Sequence, residues 1–229
     1  MREAAMDNYE MIKADFNEIA ELGPEPKWNH NNCYFEQLMK LVPERTGTCL
    51  DIGCGKGALS LLLSRKAESV IAVDLADKMI KYARGHSAAA NIHYICGNIV
   101  EMPLNNESLD VIITTATAHH LSYEWLLEFS KRTLRKGGKL IILDLAKAAS
   151  PADYIVWGAA FFPNLVMSLV KNGRLRKDGP HAAAVWRKHG AHDAYMTLRE
   201  IRRLADAHLP GAVVKRKLFW RYSLVWEKK

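Results

Sequence analysis

The stretch Thr48-Cys-Leu-Asp51-Ile-Gly53-Cys-Gly55-Lys-Gly57-Ala-Leu-Ser60 constrains this chain more than any other. Cys49, Leu50 and Ile52 read as a short buried strand. Three glycines at alternate positions follow, then the helical pattern of Leu59, Leu61, Leu62 and Leu63. A strand feeding a glycine turn and then a helix builds a cofactor cradle. Glycine permits a tight turn and close backbone approach, and the first helical N–H groups stay free. The spacing is D-x-G-x-G-x-G, which differs from the dinucleotide fingerprint G-x-G-x-x-G. Asp51 would repel a pyrophosphate but hold a cofactor with a cationic amino-acid part. S-adenosylmethionine (SAM) has that chemistry.

Downstream, apolar runs alternate with helical patterns. Ser69–Val73 ends at Asp74, 17 residues beyond Gly57, near the separation at which doubly wound folds place a ribose-binding carboxylate. Ile92–Cys96 ends in Gly97-Asn98-Ile99, and Leu109–Thr114 ends in Thr115-Ala-Thr-Ala-His119-His120. Helix Tyr123–Leu134 and strand Lys139–Asp144 follow. This alternation predicts a parallel sheet covered on both faces, with ligands at the C-terminal strand ends, where Asp51, Asp74, Asn98 and Thr115 fall. Thr197-Leu-Arg-Glu200 is a capping box opening a helix over Leu198–Ala207. Val213–Leu218 and Tyr222–Trp226 then form an antiparallel hairpin.

The ordered set Leu50-Asp-Ile-Gly-Cys-Gly-Lys-Gly57, Val73-Asp-Leu75, Gly97-Asn-Ile99, His119-His-Leu121 and Leu134-Arg-Lys-Gly-Gly-Lys-Leu140 resembles the class I SAM-dependent methyltransferases. The likeness is greatest to the small-molecule branch that includes quinone-ring methyltransferases. It implies a doubly wound α/β fold: a seven-stranded, mainly parallel sheet with an antiparallel last strand, and a helical lid inserted between strands five and six. It also implies SAM as cofactor and S-adenosylhomocysteine as product. By position, Gly53, Gly55 and Gly57 would approach the methionine part with Asp51 in the same wall. Asp74 would accept from both ribose hydroxyls, Leu75 and Ile99 would sandwich the adenine, and Thr115 would lie beside the amino group. Asn98 departs from the family's usual Asp. A carboxamide can still accept from the adenine amine and donate to a ring nitrogen.

The acceptor side falls to less regular segments. Residues 1–45 read as a helical cap: its first helix ends near Gly23-Pro24, and a polar-aromatic loop leads into a second helix, Tyr34–Leu41, with Trp28, His30 and Tyr34 either lining a ligand pocket or anchoring the cap to the core. Residues 145–196 read as the lid. Its apolar half, Tyr154–Val170, is shorter than a spanning helix and is interrupted by Pro163-Asn164, which predicts two short helices over the mouth of the site. Trp157 and Trp186 are candidate substrate contacts there. Helices that complete the core or a dimer contact are the competing reading. So is membrane-surface docking, because Lys171, Arg174, Arg176 and Lys177 follow at once. His119, His189 and Tyr195 are the candidate catalytic groups, since an imidazole titrates near working pH. The spacings of His181, His189, His192 and Asp193 match no familiar metal motif, so no metal is expected.

At 229 residues and 49% apolar content, the chain suits one domain. Its four scattered cysteines and acid-bearing first residues suggest neither a disulfide framework nor a signal peptide, so a cytoplasmic setting is expected. From Ala146 onward there are 16 Lys and Arg against 6 Asp and Glu. That excess suits an acidic substrate, nucleic acid, an anionic membrane, or simply a solvated face. The expected function is methyl transfer to a small, apolar or aromatic molecule by a monomer or homodimer. The alternatives are an RNA methyltransferase and a non-catalytic SAM-binding protein. Nucleic acid is the weaker partner, because Thr114-Thr-Ala-Thr stands where base-amino methyltransferases carry N/D-P-P-Y/F.

Overall fold

The computed structural model describes residues 2–173 and 179–229, so the expected basic residues Arg174, Arg176 and Lys177 lie outside the described residues. Seven strands run in chain order: β1 (Thr46–Ile52), β2 (Ala67–Asp74), β3 (Ile92–Cys96), β4 (Leu109–Thr115), β5 (Leu134–Leu145), β6 (Val213–Arg216) and β7 (Arg221–Glu227). They form one sheet in the order β3-β2-β1-β4-β5-β7-β6. The first five are parallel, and β7 runs antiparallel to both β5 and β6. The chain steps outward from β1 to β3, then returns to the other side of β1 for β4. That reversal opens a crevice at the C-terminal ends of β1 and β4.

Register sorts the apolar residues between the two faces. Ile71, Leu50, Ile112, Leu140 and Trp226 lie in one row across five strands. The row packs against α5 (Tyr123–Thr133) and α8 (Leu198–His208) through Leu126, Phe129 and Ile201. One residue away along β1 and β4, Cys49, Val111 and Ile113 point to the opposite face, as the two-residue period of a strand requires. There they meet Leu38 of α2 (Phe35–Met39), Leu59 and Leu63 of α3 (Ala58–Leu63), and Ile80 of α4 (Asp77–His86). The expected capping box opens α8: Glu200 N donates to Thr197 Oγ1, and Thr197 N donates to Glu200 Oε2 at 2.8 Å.

Two helical pieces stand over the strand ends. The first is α1 (Arg2–Ala20), whose Ile19 and Ala20 pack with Met79 of α4 and Val185 of α7 (Pro180–Gly190). The second is the insertion after β5, whose ends meet where Lys147 N donates to Met196 O at 2.9 Å.

The apolar half of that insertion corrects the sequence expectation. It is one continuous helix, α6 (Pro151–Asn172), with Pro163 inside it. Ser150 and Asp153 form a capping box that fixes its start, a signal present in the sequence as S-x-x-D. Pro163 removes one backbone donor without ending the helix. Along its length α6 is tied to the body of the protein by polar groups. Arg216 donates to Asp153, His30 meets Asn164 at 2.8 Å, and Asn172 exchanges two bonds with the Trp28 backbone. Ala160 is fully buried, but Ile155, Phe162 and Val170 are each about 70% exposed. No residue of α6 lines the cavity described below, so it is not a lid over the mouth. That position belongs to α1 and α7.

Candidate active site

A cavity of about 650 Å³ runs from the glycine turn, under α1 and α7, to the ends of β4 and β5. One wall is the turn after β1. Gly53, Gly55 and Gly57 all have positive φ, of 70°, 51° and 80°. Gly53 needs both that backbone and its missing side chain, because a Cβ there would overlap Thr117. Gly57 is different. It does not line the cavity, and a Cβ on it would strike Tyr94 Oη on the reverse side of the turn, with Ala83 and Ser87 at 3.0 Å. The structure therefore gives Gly57 a packing duty behind the cradle rather than a place in its wall.

The remaining residues expected at the cofactor all reach the cavity: Asp51, Gly53, Gly55, Asp74, Leu75, Asn98, Ile99 and Thr115. Asp51 is buried and accepts from Ser60 Oγ at 2.6 Å. Burial pushes its carboxyl up to about 7, with Asp74 adding to the rise against the Ser60 bond. Asp74 accepts from Gly55 N at 2.8 Å and Ala76 N at 2.9 Å, so it braces the turn while its other lone pairs stay available. Burial also raises its carboxyl, against those two bonds. Two buried acids with no cation paired to them among the described residues suit a ligand carrying positive charge. Thr115 Oγ1 is buried without a hydrogen-bond partner, which leaves it free for an amino group. Asn98 caps a short turn, its Oδ1 accepting from Val100 N at 3.1 Å. The wall thus fits SAM: carboxylates for its polar parts, and Leu75 and Ile99 for its base.

The opposite end of the cavity is polar and enclosed. His119 follows β4, and its Nδ1 meets Asp144 Oδ1 of β5 at 2.7 Å while its backbone N–H donates to Asp144 Oδ2 at 2.9 Å. Burial would lower the His119 imidazole, but the Asp144 charge and bond, with help from Asp193, raise it on balance. His120 lacks such a partner, and burial together with the neighbouring His119 pushes it down to about 4. From α7 come Trp186 and His189, and just beyond it Asp193 and Tyr195. Tyr195 Oη donates to Asp193 Oδ2, and burial first and Asp193 second push its phenol up. All three candidate catalytic groups, His119, His189 and Tyr195, therefore share one pocket end.

The candidate substrate contacts divide. His30 and Trp186 line the cavity. Trp28, Tyr34 and Trp157 do not. Trp28 is buried between His30 and Phe219, and Tyr34 Oη donates to Leu218 O at 2.8 Å, so both act as anchors of the cap. Trp157 is half-buried on α6 beside Tyr154.

Several lining residues escape a reading by motif. Ile12 and Phe16 of α1 close the roof. Ala116, at φ 52°, holds a conformation that L-residues rarely adopt, and sets Thr115 and Thr117 against the turn. Asp144 had a visible signal, because it ends the fifth apolar run as Asp74 ends the second.

This architecture is that of the class I methyltransferase fold, with a wall that fits SAM, and known proteins show the same likeness. The family profile described as "Methyltransferase domain" matches residues 50–142. An uncharacterized methyltransferase of Mycobacterium bovis is 29% identical over 202 residues, covering 87% of this chain and 96% of its own length. A ubiquinone biosynthesis O-methyltransferase of Coxiella burnetii is 26% identical over 136 residues, or 58% of this chain and 57% of its own. The crystal structure of an S-adenosylmethionine dependent methyltransferase from Mesorhizobium loti superposes with a TM-score of 0.59 at 15% identity, covering 85% of this chain and 97% of that one. The chain thus carries a match to a methyltransferase domain over residues 50–142 and is similar in sequence and fold to methyltransferases.

Proposed function

We propose that the protein methylates a small molecule held between the cofactor wall and the His119–Tyr195 end of the cavity. The observation that carries this reading is the continuity of one cavity from Asp51 and Asp74 to His119, Asp193 and Tyr195. Its volume is within the roughly 300–1,000 Å³ usual for small-molecule sites. Bound SAM supplies an electrophilic methyl group. The protein's own task is to align a nucleophile with it, and such alignment is worth an effective molarity of roughly 10^5–10^8 M. Gly53, Gly55, Asp74 and Thr115 would fix the cofactor. Ile12, Phe16 and Trp186 offer an apolar roof to the acceptor, and the buried polar end receives the acceptor's heteroatom. A roof formed by α1 and α7 suits a compact acceptor better than a polynucleotide.

A screen for S-adenosylhomocysteine release against phenols, quinols, thiols and amines tests the reading. Turnover with one such class supports it. Turnover confined to RNA overturns it, as does SAM binding without any product.

The exposed side of α6 supports a partner as well. Tyr154, Ile155, Phe161, Phe162, Leu169 and Val170 form an apolar surface ahead of Lys171. Although α6 is long and apolar enough to cross a bilayer, its polar ties at Asp153, Asn164 and Asn172 hold it along the protein. A helix that is apolar outward and basic at its end suits an anionic membrane surface, on which it would lie flat.

A further inference from the structure

We infer that His119, His120, His189 and Asp193 form a site for a divalent first-row transition metal at the acceptor end of the cavity. The sequence alone predicts no metal there, because the ligands come from two loops and a helix. Folding brings them together, and one potential ligand atom from each lies within 4.8 Å of all the others. Asp193 Oδ1 is the centre of the group. It faces His189 Nε2 at 3.6 Å, His120 Nδ1 at 3.8 Å and His119 Nε2 at 3.9 Å.

Those separations decide between two explanations. They are longer than a hydrogen bond, and Asp193 Oδ1 is buried with no hydrogen-bond partner. They are near the roughly 3.4 Å edge of a tetrahedron whose centre lies about 2.1 Å from each ligand. The side chains of His119, His120, His189 and Asp193 are between 4% and 9% exposed. An unpaired carboxylate oxygen that deep is costly unless something positive meets it.

The surroundings orient the ligands as metal sites require. The Asp144 carboxylate holds His119 Nδ1, which leaves Nε2 as the free nitrogen aimed at Asp193. Tyr195 occupies Asp193 Oδ2, so Oδ1 is the oxygen left over. Behind His189, Asp15 Oδ2 lies 3.6 Å from Nδ1. Phe16 sets its ring edge-on to His120 and His189, giving the group a dry wall. Three imidazoles and one carboxylate are a donor set for zinc or ferrous iron rather than for magnesium or calcium.

The consequence deepens the proposed function and rests on it: the acceptor would be an O–H compound. A cation beside a hydroxyl favours its anion, and the proton leaves to solvent. The oxygen lone pair then forms the new O–CH3 bond as the S–CH3 bond breaks, and that bond's electrons stay on sulfur.

Binding can be read without turnover. The full chain, stripped by chelator, is titrated with Zn2+ against a competing chelator and with Co2+ by visible absorption. One Zn2+ per chain is expected, along with Co2+ bands of a four- or five-coordinate site. Asp193→Asn and His189→Ala should each weaken Zn2+ at least a hundredfold. Asp144→Asn should weaken it about 10–100-fold through His119. His208→Ala, on a surface pair with Glu128, should bind as the parent does. SAM calorimetry on every variant reports that it is folded. The inference is overturned if no one-to-one site is found, or if Asp193→Asn and His189→Ala bind Zn2+ as tightly as the parent. Zinc binding without methyl transfer would leave the metal site standing and remove the proposed function.

Discussion

His119 and Asp144 meet twice: the carboxylate takes the imidazole Nδ1 at 2.7 Å and the backbone N–H of the same residue at 2.9 Å. The double contact locks both the ring and the loop that carries it to the ends of β4 and β5. It also fixes which nitrogen faces the cavity. Under the proposed function, Asp144 would act on the acceptor through His119, as a positioning residue.

Loss of that ring should affect turnover more than binding. His119→Ala should lower kcat by about 10²-fold or more, the scale of a lost proton acceptor or charge-holding group. Asp144→Asn should lower kcat less and shift the acid limb of the pH profile toward lower pH, because the Asp144 charge and bond are what raise the His119 imidazole. Unchanged turnover of His119→Ala at several pH values would remove the assignment.

Asp51 sets a pH dependence for the cofactor. Its carboxyl is raised to about 7, chiefly by burial. A cationic ligand favours the ionised form, so binding below that pH releases a proton, and SAM affinity should climb with pH, approaching tenfold per unit on the acid side. For folding the sign is opposite. A raised carboxyl contributes stability that is present at low pH and lost as pH rises through about 7. The thermal shift given by SAM should therefore grow between pH 5.5 and 8, and Asp51→Asn should flatten it. A shift independent of pH in the parent would contradict this.

Asp74 and Asn98 should differ as cofactor ligands. Asp74 is ionisable, braces Gly55 and Ala76, and faces the cavity. The Oδ1 of Asn98 is already engaged by Val100 N. Asp74→Ala should raise the SAM dissociation constant more than tenfold, consistent with about 1.5–3 kcal/mol for bonds to a charged group. Asn98→Ala should raise it only a few-fold. Equal losses by calorimetry would sink the assignment.

Gly57→Ala tests the position of the third glycine. The substitution imposes φ 80° on an L-residue and drives a Cβ into Tyr94. A cost of about 1–3 kcal/mol follows, and at roughly 2–4 °C per kcal/mol the melting temperature should fall by several degrees. SAM affinity of the folded fraction should change little. Gly53→Ala, which carries the same backbone strain and meets Thr117 inside the cavity, should lower both the melting temperature and SAM affinity.

The outer face of α6 can be removed without touching the core. Phe161→Ser with Phe162→Ser changes two residues that are 66% and 71% exposed, so stability should move by no more than about 0.5 kcal/mol per site. Flotation with phosphatidylglycerol vesicles should show binding by the parent, weakened by salt and by the double substitution. A concentration-dependent dimer abolished by the same pair would give this face to a second copy instead.

Much of this protein is written locally. The strand–glycine–helix run, the acids closing successive apolar runs and the final hairpin each depend on neighbours within about ten residues, so the sheet and the cofactor wall were legible from Cys49 to Asp144. The capping box at Ser150–Asp153 was equally local, yet Pro163 concealed a continuous helix, because packing at Ala160 and Ser168 outweighs one lost backbone bond. The acceptor end was not legible. His119 and His120 meet His189 and Asp193 across about 70 residues of chain, and Asp15 arrives from a different helix altogether. No spacing encodes such a meeting, since it is set by how α1 and α7 pack on α4 and over the strand ends. Sequence alone determined that a SAM cradle exists. Tertiary packing decided what stands opposite it.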